Sequence, residues 1–355
     1  MAGKRRLASL GVALAAAGTM LFAPAAGRGA EAAPVNARVA WPGAQRGVMT
    51  AALGDGTLFE PAVFVDAKQA VGTALTADGK TMRLLLRRAD GTARSLRTLP
   101  MSQNPSFESA TIDGQTLVWA ESTKAGEDLW TADLRDGRPP RRLTADLGDA
   151  RFYQSQYDLV VAEGRVHWVA AGAGDTTEVR SVDLRGGGPV EVRQQPGTWA
   201  LSAWPWLIDG LTAAAGTTRL RNLTTGETRA VPAHRRGVTA CSPVWCQVVA
   251  FDKDGYPRID LVRPDGEDRR KVADGTAATV IADPAVLDRF EIFSQQTGNS
   301  DLTGHVQLLA YKIDTRTVVE ISPDATDVSY KNGVLWWSTG TQEDYVRHSL
   351  DLRSV

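Results

Sequence analysis

The sequence predicts an all-β fold, a single β-propeller of four-stranded blades, most simply seven of them with six as the alternative count. Three observations carry this. After residue 34 helical periodicity is hard to find, and short runs rich in Val, Leu, Thr and Trp alternate with Gly, Asp-Gly and Pro, the pattern of many short antiparallel strands. The runs come in sets of four, and the sets recur about every 46 residues, the length of a four-stranded blade. A turn residue after the third run of each set stands at Gly91, Gly137, Gly187, Gly226, Gly266 and Arg316, at intervals of 46, 50, 39, 40 and 50 residues.

The first 33 residues are read as an address. Lys4, Arg5 and Arg6 precede an uncharged stretch from Leu7 to Phe22, and Ala23-Pro24-Ala25 or Ala30-Glu31-Ala32 then offers small residues for a signal peptidase. Residues 1–33 are therefore expected to be a secretory signal peptide and residues 34–355 the propeller domain. The apolar stretch falls short of the roughly 20 residues that a bilayer span needs. Secretion, to the cell envelope or the extracellular space, is the expected destination. The whole chain carries a net charge of −1; losing Lys4, Arg5, Arg6, Arg28 and Glu31 leaves −4. A mildly acidic domain offers no electrostatic basis for nucleic acid or an anionic membrane, and no membrane span is expected in the mature chain. With 43% apolar residues, 23% charged residues and two Cys, disorder and a disulfide-stapled mini-scaffold are excluded.

The clearest unit runs from Ser106 to Thr144 as SFESATIDG, QTLVWAEST, EDLWTADLRDG and RPPRRLT. The next reads QSQYDLVVAEG, RVHWVAAG, TEVRSVDLRGG and PVEVRQQ, placing Trp168 where Trp119 stood and Asp183 where Asp133 stood. Later units follow through WLIDG, then QVVAFDKDG, then VLWWSTG. A lone unit cannot bury both faces of its sheet, and stacking units around an axis does so. The last unit runs out of chain where its fourth strand is due. The segment Val35 to Trp41, which belongs to no following unit, is expected to supply that outer strand beside Tyr345 to Leu352.

Leu129, Trp130, Asp133, Asp136, Gly137, Arg142, Leu143 and Thr144 together resemble the blade pattern of TolB-like propellers, with their WD-type blade repeats. The Asp recurs at Asp183 and Asp351 and becomes Asn222. The resemblance covers nearly all of residues 34–355 and implies a secreted bacterial member: a non-catalytic scaffold contacting partner proteins, or the accessory propeller of a peptidase whose chemistry lies on a separate domain. TolB itself is usually six-bladed, hence the alternative count.

Cys241 and Cys246, in CSPVWC, are expected to form a disulfide in an oxidising compartment. Two separate buried thiols are the alternative. So short a loop contributes at most about 2 to 3 kcal/mol, so the bond chiefly fixes a bend in the fifth blade. His167, His234, His305 and His348 are scattered without metal-ligand spacing. Asp252, Asp254 and Gly255 read as a hairpin turn in preference to a calcium loop. Trp119, Trp168 and Trp336 are expected to pack between blades. Trp204 and Trp206, in WALSAWPW, are the candidate ligand-binding residues, able to stack on a sugar or another flat ligand at the channel mouth. No catalytic residue, metal or cofactor is assigned. The expected function is a secreted, monomeric, non-enzymatic propeller binding a protein or envelope or glycan ligand on one face of the ring. The alternative is a lyase, lactonase or glycosidase with its site in the central channel.

Overall fold

A computed structural model describes residues 33–211, 213–234, 237–341 and 345–355. Residues 1–32 of the expected signal peptide lie outside the described residues. Val35–Val355 form one compact unit, built almost wholly of antiparallel sheet. Among the described residues, no helix is long and apolar enough to cross a membrane.

The first blade is Glu60–Asp66, Gln69–Leu75, Thr81–Arg88 and Ala93–Pro100, paired in chain order. The second is Ser106–Asp113, Thr116–Thr123, Gly126–Asp133 and Arg141–Thr144. Sheets of the same kind follow over residues 149–196, 199–230 and 237–273. The remaining strands form one continuous sheet through the long strand Thr317–Lys331. Its first part closes a sixth blade against Val306–Lys312, and its second part opens a seventh against Val334–Thr339. Among the described residues the sheets are consistent with the seven-unit repeat count; the third is five-stranded, because Asp149–Ala150 and Val160–Ala162 both pair with Arg165–Ala171.

The core is distributed in the same way. Among the described residues seven apolar clusters occur, each between one blade and the next. Trp119 packs between the first and second blades, Trp168 between the second and third, and Trp336 between the seventh and first. The first two are fully buried. Their recurrence in sequence is therefore the recurrence of one packing position.

Two polar devices repeat with the blades. Asp133, Asp183 and Asp351 each accept the backbone N–H two residues on, at 2.8, 2.7 and 3.0 Å, and grip the arginine there with the same carboxylate. Asn222 makes the same turn by accepting from Thr224 N–H, so Asn can stand for Asp there. In addition, an arginine near the start of an outer strand donates to turn carbonyls of the next blade: Arg94 to Leu134 at 2.8 Å, Arg141 to Leu184 at 2.6 Å and Arg270 to Ile313 at 2.6 Å. These guanidinium groups join blades through backbone acceptors that every turn supplies, whatever its side chains.

Ring closure departs from expectation. The outer strand of the seventh blade is Arg46–Thr50, antiparallel to Val346–Leu350. The segment from Val35 to Trp41 does something else: Val35–Asn36 runs parallel to Val319–Glu320 on the sixth blade, and Ala37–Ala40 forms one helical turn. The cause is local. Asn36 Oδ1 accepts Arg38 N–H at 2.9 Å and Trp41 N–H closes the turn on Ala37 O, so the Ala-rich stretch coils under an Asn cap before Pro42-Gly43 releases it. Gly47 lets the closing strand lie against the first blade, since a Cβ there would fall 1.7 Å from Ala67 O.

Candidate functional site

Because strands alternate in direction, the turns joining first and second strands all emerge on one face of the ring. Two of the long blades distort that face. In the third blade, Asp149–Ala150 pairs with Ala170–Ala171 and Val160–Ala162 with Arg165–His167, so residues 151–159 stand opposite only two partner residues and must leave the sheet. They run inward. Ser155 Oγ donates to Asp283 Oδ1 at 2.6 Å and Gln156 N–H to Asp283 Oδ2 at 3.1 Å, and Asp283 belongs to the sixth blade, which does not adjoin the third. The excursion therefore crosses the channel as a plug. The sequence reading of QSQYD as the start of an inner strand is corrected accordingly; only Val160–Ala162 pairs.

The sixth blade meets the plug with the connection 280–289. Ala285, Leu287 and Asp288 all have left-handed φ values there, 48, 57 and 55°, a conformation unfavourable for side chains with a Cβ and held only by surrounding contacts. Glu291 is one such contact: fully buried, it accepts Ala285 N–H at 2.8 Å and a hydrogen bond from Gln247 Nε2. Burial pushes its carboxyl up to about 7. Asp158, within the plug, and Asp283, which anchors it, are both buried and both feel Lys331. Burial raises Asp158 to about 6, against the opposing pull of Tyr153 N–H and Lys331, and raises Asp283 too; the same burial lowers Lys331. Asp158 Oδ2 has no hydrogen-bond partner.

Plug, strained connection and two neighbouring turns enclose a cavity of about 220 Å³, lined by Tyr157, Trp204, Trp206, the Ser242–Val244 turn and the Pro284–Asp288 connection. Both candidate tryptophans thus face one space, together with the turn inside the disulfide. The bond between Cys241 and Cys246 is formed and joins two register partners at the end of a hairpin. Ser242 Oγ is consumed within that turn: it donates to Trp245 O and accepts from the Val244 and Trp245 N–H groups. Trp204 stacks on His167 with ring centroids 3.7 Å apart; His167 is buried, and burial lowers its imidazole to about 4. Trp206 carries the Arg229 guanidinium 4.5 Å above its ring. The Asp288 carboxyl stands at the rim, raised by partial burial.

The other residues singled out in the sequence are accounted for by packing or turns. Trp199 is buried and donates to Pro196 O at 2.7 Å. His348 stacks on Trp337, and His305 pairs with Asp324 at 2.7 Å. Asp252 accepts the N–H groups of Asp254 and Tyr256, both at 2.9 Å, as a hairpin turn does. Tyr157, Asp158, Asp283 and Asp288 were not anticipated. A signal for them existed: the 50-residue intervals, Gly137 to Gly187 and Gly266 to Arg316, are the ones that contain the plug and the strained connection.

No family model matches the sequence, and no curated relative does. Among solved structures, the propeller domain of the trilobed protease from Pyrococcus furiosus is similar with a TM-score of 0.51 and 11% identity over 83% of this chain and 93% of that one. The likeness decides the fold. This chain is a β-propeller. A puromycin-hydrolysing peptidase from Mycobacterium tuberculosis matches with a TM-score of 0.50 and 15% identity over 88% of this chain and 53% of that peptidase. TolB from Acinetobacter baumannii matches with a TM-score of 0.37 and 10% identity, over 80% of this chain and 63% of TolB.

Proposed function

We propose that this propeller is an exported, non-catalytic, TolB-like binding protein that holds a protein or cell-envelope ligand on the face carrying the cavity, with Trp204 and Trp206 as its contact surface. The observation that carries this reading is the construction of the cavity. Two long excursions of the ring meet there, one held in left-handed backbone, and they enclose an aromatic surface with few ionisable groups. Preformed concave sites of this kind are lined by aromatic and apolar side chains with a few orienting polar groups, here the Tyr157 hydroxyl and the Asp288 carboxylate.

A second reading, an enzyme working in the channel, has one observation in its favour: the raised carboxyls of Asp158 and Asp283 beside Lys331. Against it, Asp283 spends both carboxylate oxygens holding the plug, and Asp158 one on Tyr153 N–H. The readings separate in one experiment. The purified mature chain is titrated with soluble envelope glycan fragments and with envelope proteins, followed by tryptophan fluorescence, and incubated with a panel of glycans and lactones. Saturable binding that weakens about tenfold in the exposed-loop variant Leu287→Ser and in Trp204→Ala supports the proposal. Turnover lost in Asp158→Asn, with no saturable binding at the cavity, overturns it. Export is checked separately by fractionating the producing cell and sequencing the N-terminus of the recovered chain.

A further inference from the structure

Four times among the described residues, a tryptophan ring lies under an arginine whose charge is met by a carboxylate. Arg97 stands 3.9 Å over Trp130 and pairs with Glu121 at 2.7 Å, and Arg219 stands 5.1 Å over Trp199 and pairs with Asp209 at 2.9 Å. Arg229 and Arg270 repeat the arrangement over Trp206 and Trp245, with Glu227 and Asp268 each at 2.6 Å. A planar guanidinium can face an indole and donate from its edge to an acid at the same time, which a compact ammonium group does less well.

The cavity at the channel mouth holds two parts of this triad and lacks the third. Trp204 lines it with no arginine over its ring; its stacked neighbour is His167, 3.7 Å away and kept neutral by burial. Asp288 is the one charged residue on the lining, and its carboxylate, exposed at the rim, has no hydrogen bond or ion pair among the described residues. Its backbone is fixed, since Asp288 N–H donates to Ala285 O at 2.7 Å within the left-handed connection. Arg263 attracts this carboxyl but is engaged elsewhere: it donates to Val244 O at 3.2 Å, lies 3.8 Å from Asp268 and stands 3.7 Å over Trp245. Burial, then the charges of Asp283 and Asp288, push the Tyr157 hydroxyl up, so the potential inside is negative. At about 220 Å³, the space is below the roughly 300–1,000 Å³ of sites for drug-sized molecules and suits one side chain.

We propose that this cavity takes an arginine side chain of a partner protein, its guanidinium lying on Trp204 and donating to the Asp288 carboxylate, so that the partner completes the triad. The assignment rests on the binding role proposed above for this cavity and narrows its ligand to a protein segment with an exposed arginine. Charge complementarity selects a cation, and the indole beside a carboxylate selects the planar one.

The test is calorimetric titration of the folded mature chain with the blocked peptide acetyl-Gly-Arg-Gly-amide. Peptides with citrulline or lysine at the central position are the controls: citrulline keeps the plane and loses the charge, and lysine keeps the charge and loses the plane. The arginine peptide is expected to saturate one site and to bind at least about tenfold more tightly than either control. Asp288 is exposed, so Asp288→Asn should fold normally, weaken the arginine peptide by about tenfold and leave the citrulline peptide unchanged. Absence of saturable arginine binding up to about 10 mM, equal binding of the citrulline peptide, or unchanged affinity in a folded Asp288→Asn variant overturns the proposal. If envelope fragments then still saturate the cavity and are weakened by Trp204→Ala, the arginine assignment alone falls; if nothing saturates it, the binding role falls as well.

Discussion

Replacing Trp41 by alanine tests how the ring is closed. Trp41 is buried in the cluster between the sixth and seventh blades, its ring edge-on to Phe290 with centroids 5.5 Å apart. Its N–H closes the capped turn and its carbonyl accepts from Arg46, so it anchors the segment leading into the closing strand. Truncating a buried Trp costs about 3–5 kcal/mol, transfer and cavity terms together. The unfolding entropy is roughly 2.1 cal/mol/K per residue near 60 °C; across the 321 residues from Val35 to Val355 that is about 0.7 kcal/mol/K. One kcal/mol therefore shifts the melting temperature by about 1.5 °C, and Trp41→Ala should lower it by about 4–8 °C. Differential scanning calorimetry on both proteins at one scan rate makes the comparison fair if unfolding is irreversible. A shift below about 1 °C would show that the N-terminal segment is not docked in solution, and the closure described here would fall with it.

The disulfide and the buried glutamate give two further expectations. Replacing Cys241 and Cys246 together by alanine, or reducing the bond, should cost about 2 kcal/mol on loop entropy, or about 3 °C in the same assay; a loss of more than about 5 kcal/mol would mean that the bond does more than fix the Ser242–Trp245 turn. Glu291 holds its proton more tightly folded, at about 7, than at its ordinary 4.5, so native protein carries the extra proton between those values and loses stability as pH rises through them. Asp158, raised to about 6 from 3.8, acts in the same sense, whereas His167, lowered from 6.5 to about 4, opposes it by making stability rise between those values. The variant Glu291→Gln isolates the first contribution. Its stability relative to wild type should increase from pH 5 to about pH 7 and level off above that by urea titration, and a pH-independent difference would refute burial as the cause.

The particular residues show why some features were legible and others were not. Trp119 and Trp168 could be aligned because each sits at the same register of a second strand, and alternation of period two fixes which face it takes. Asp133 and Asp183 could be aligned because an Asp that caps its own turn two residues on is a local interaction. The Cys241–Cys246 pair spans one hairpin and needs no knowledge of the ring. Val35 to Trp41 misled because its residues suit a strand; the Asn36 cap and the cavity for Trp41, neither of which is periodic, turned it into a helical turn and moved the closing strand to Arg46–Thr50. Trp204 and Trp206 could be nominated by composition alone, but their position beside Tyr157 and Leu287 depends on two insertions from other blades.

The sequence by itself determined most of the strands, their grouping into repeated units of about 46 residues, the inter-blade tryptophans and the disulfide, since each follows from interactions between residues close along the chain. Only the tertiary structure decided which segment closes the ring, that residues 151–159 cross the channel to Asp283, and that the tryptophan-lined cavity opens where it does. Those outcomes depend on contacts between residues separated by more than a hundred positions, such as Ser155 with Asp283 or Val35 with Val319. No local pattern encodes such a contact, because the partner is chosen by closure of the ring and by what space the packed blades leave empty.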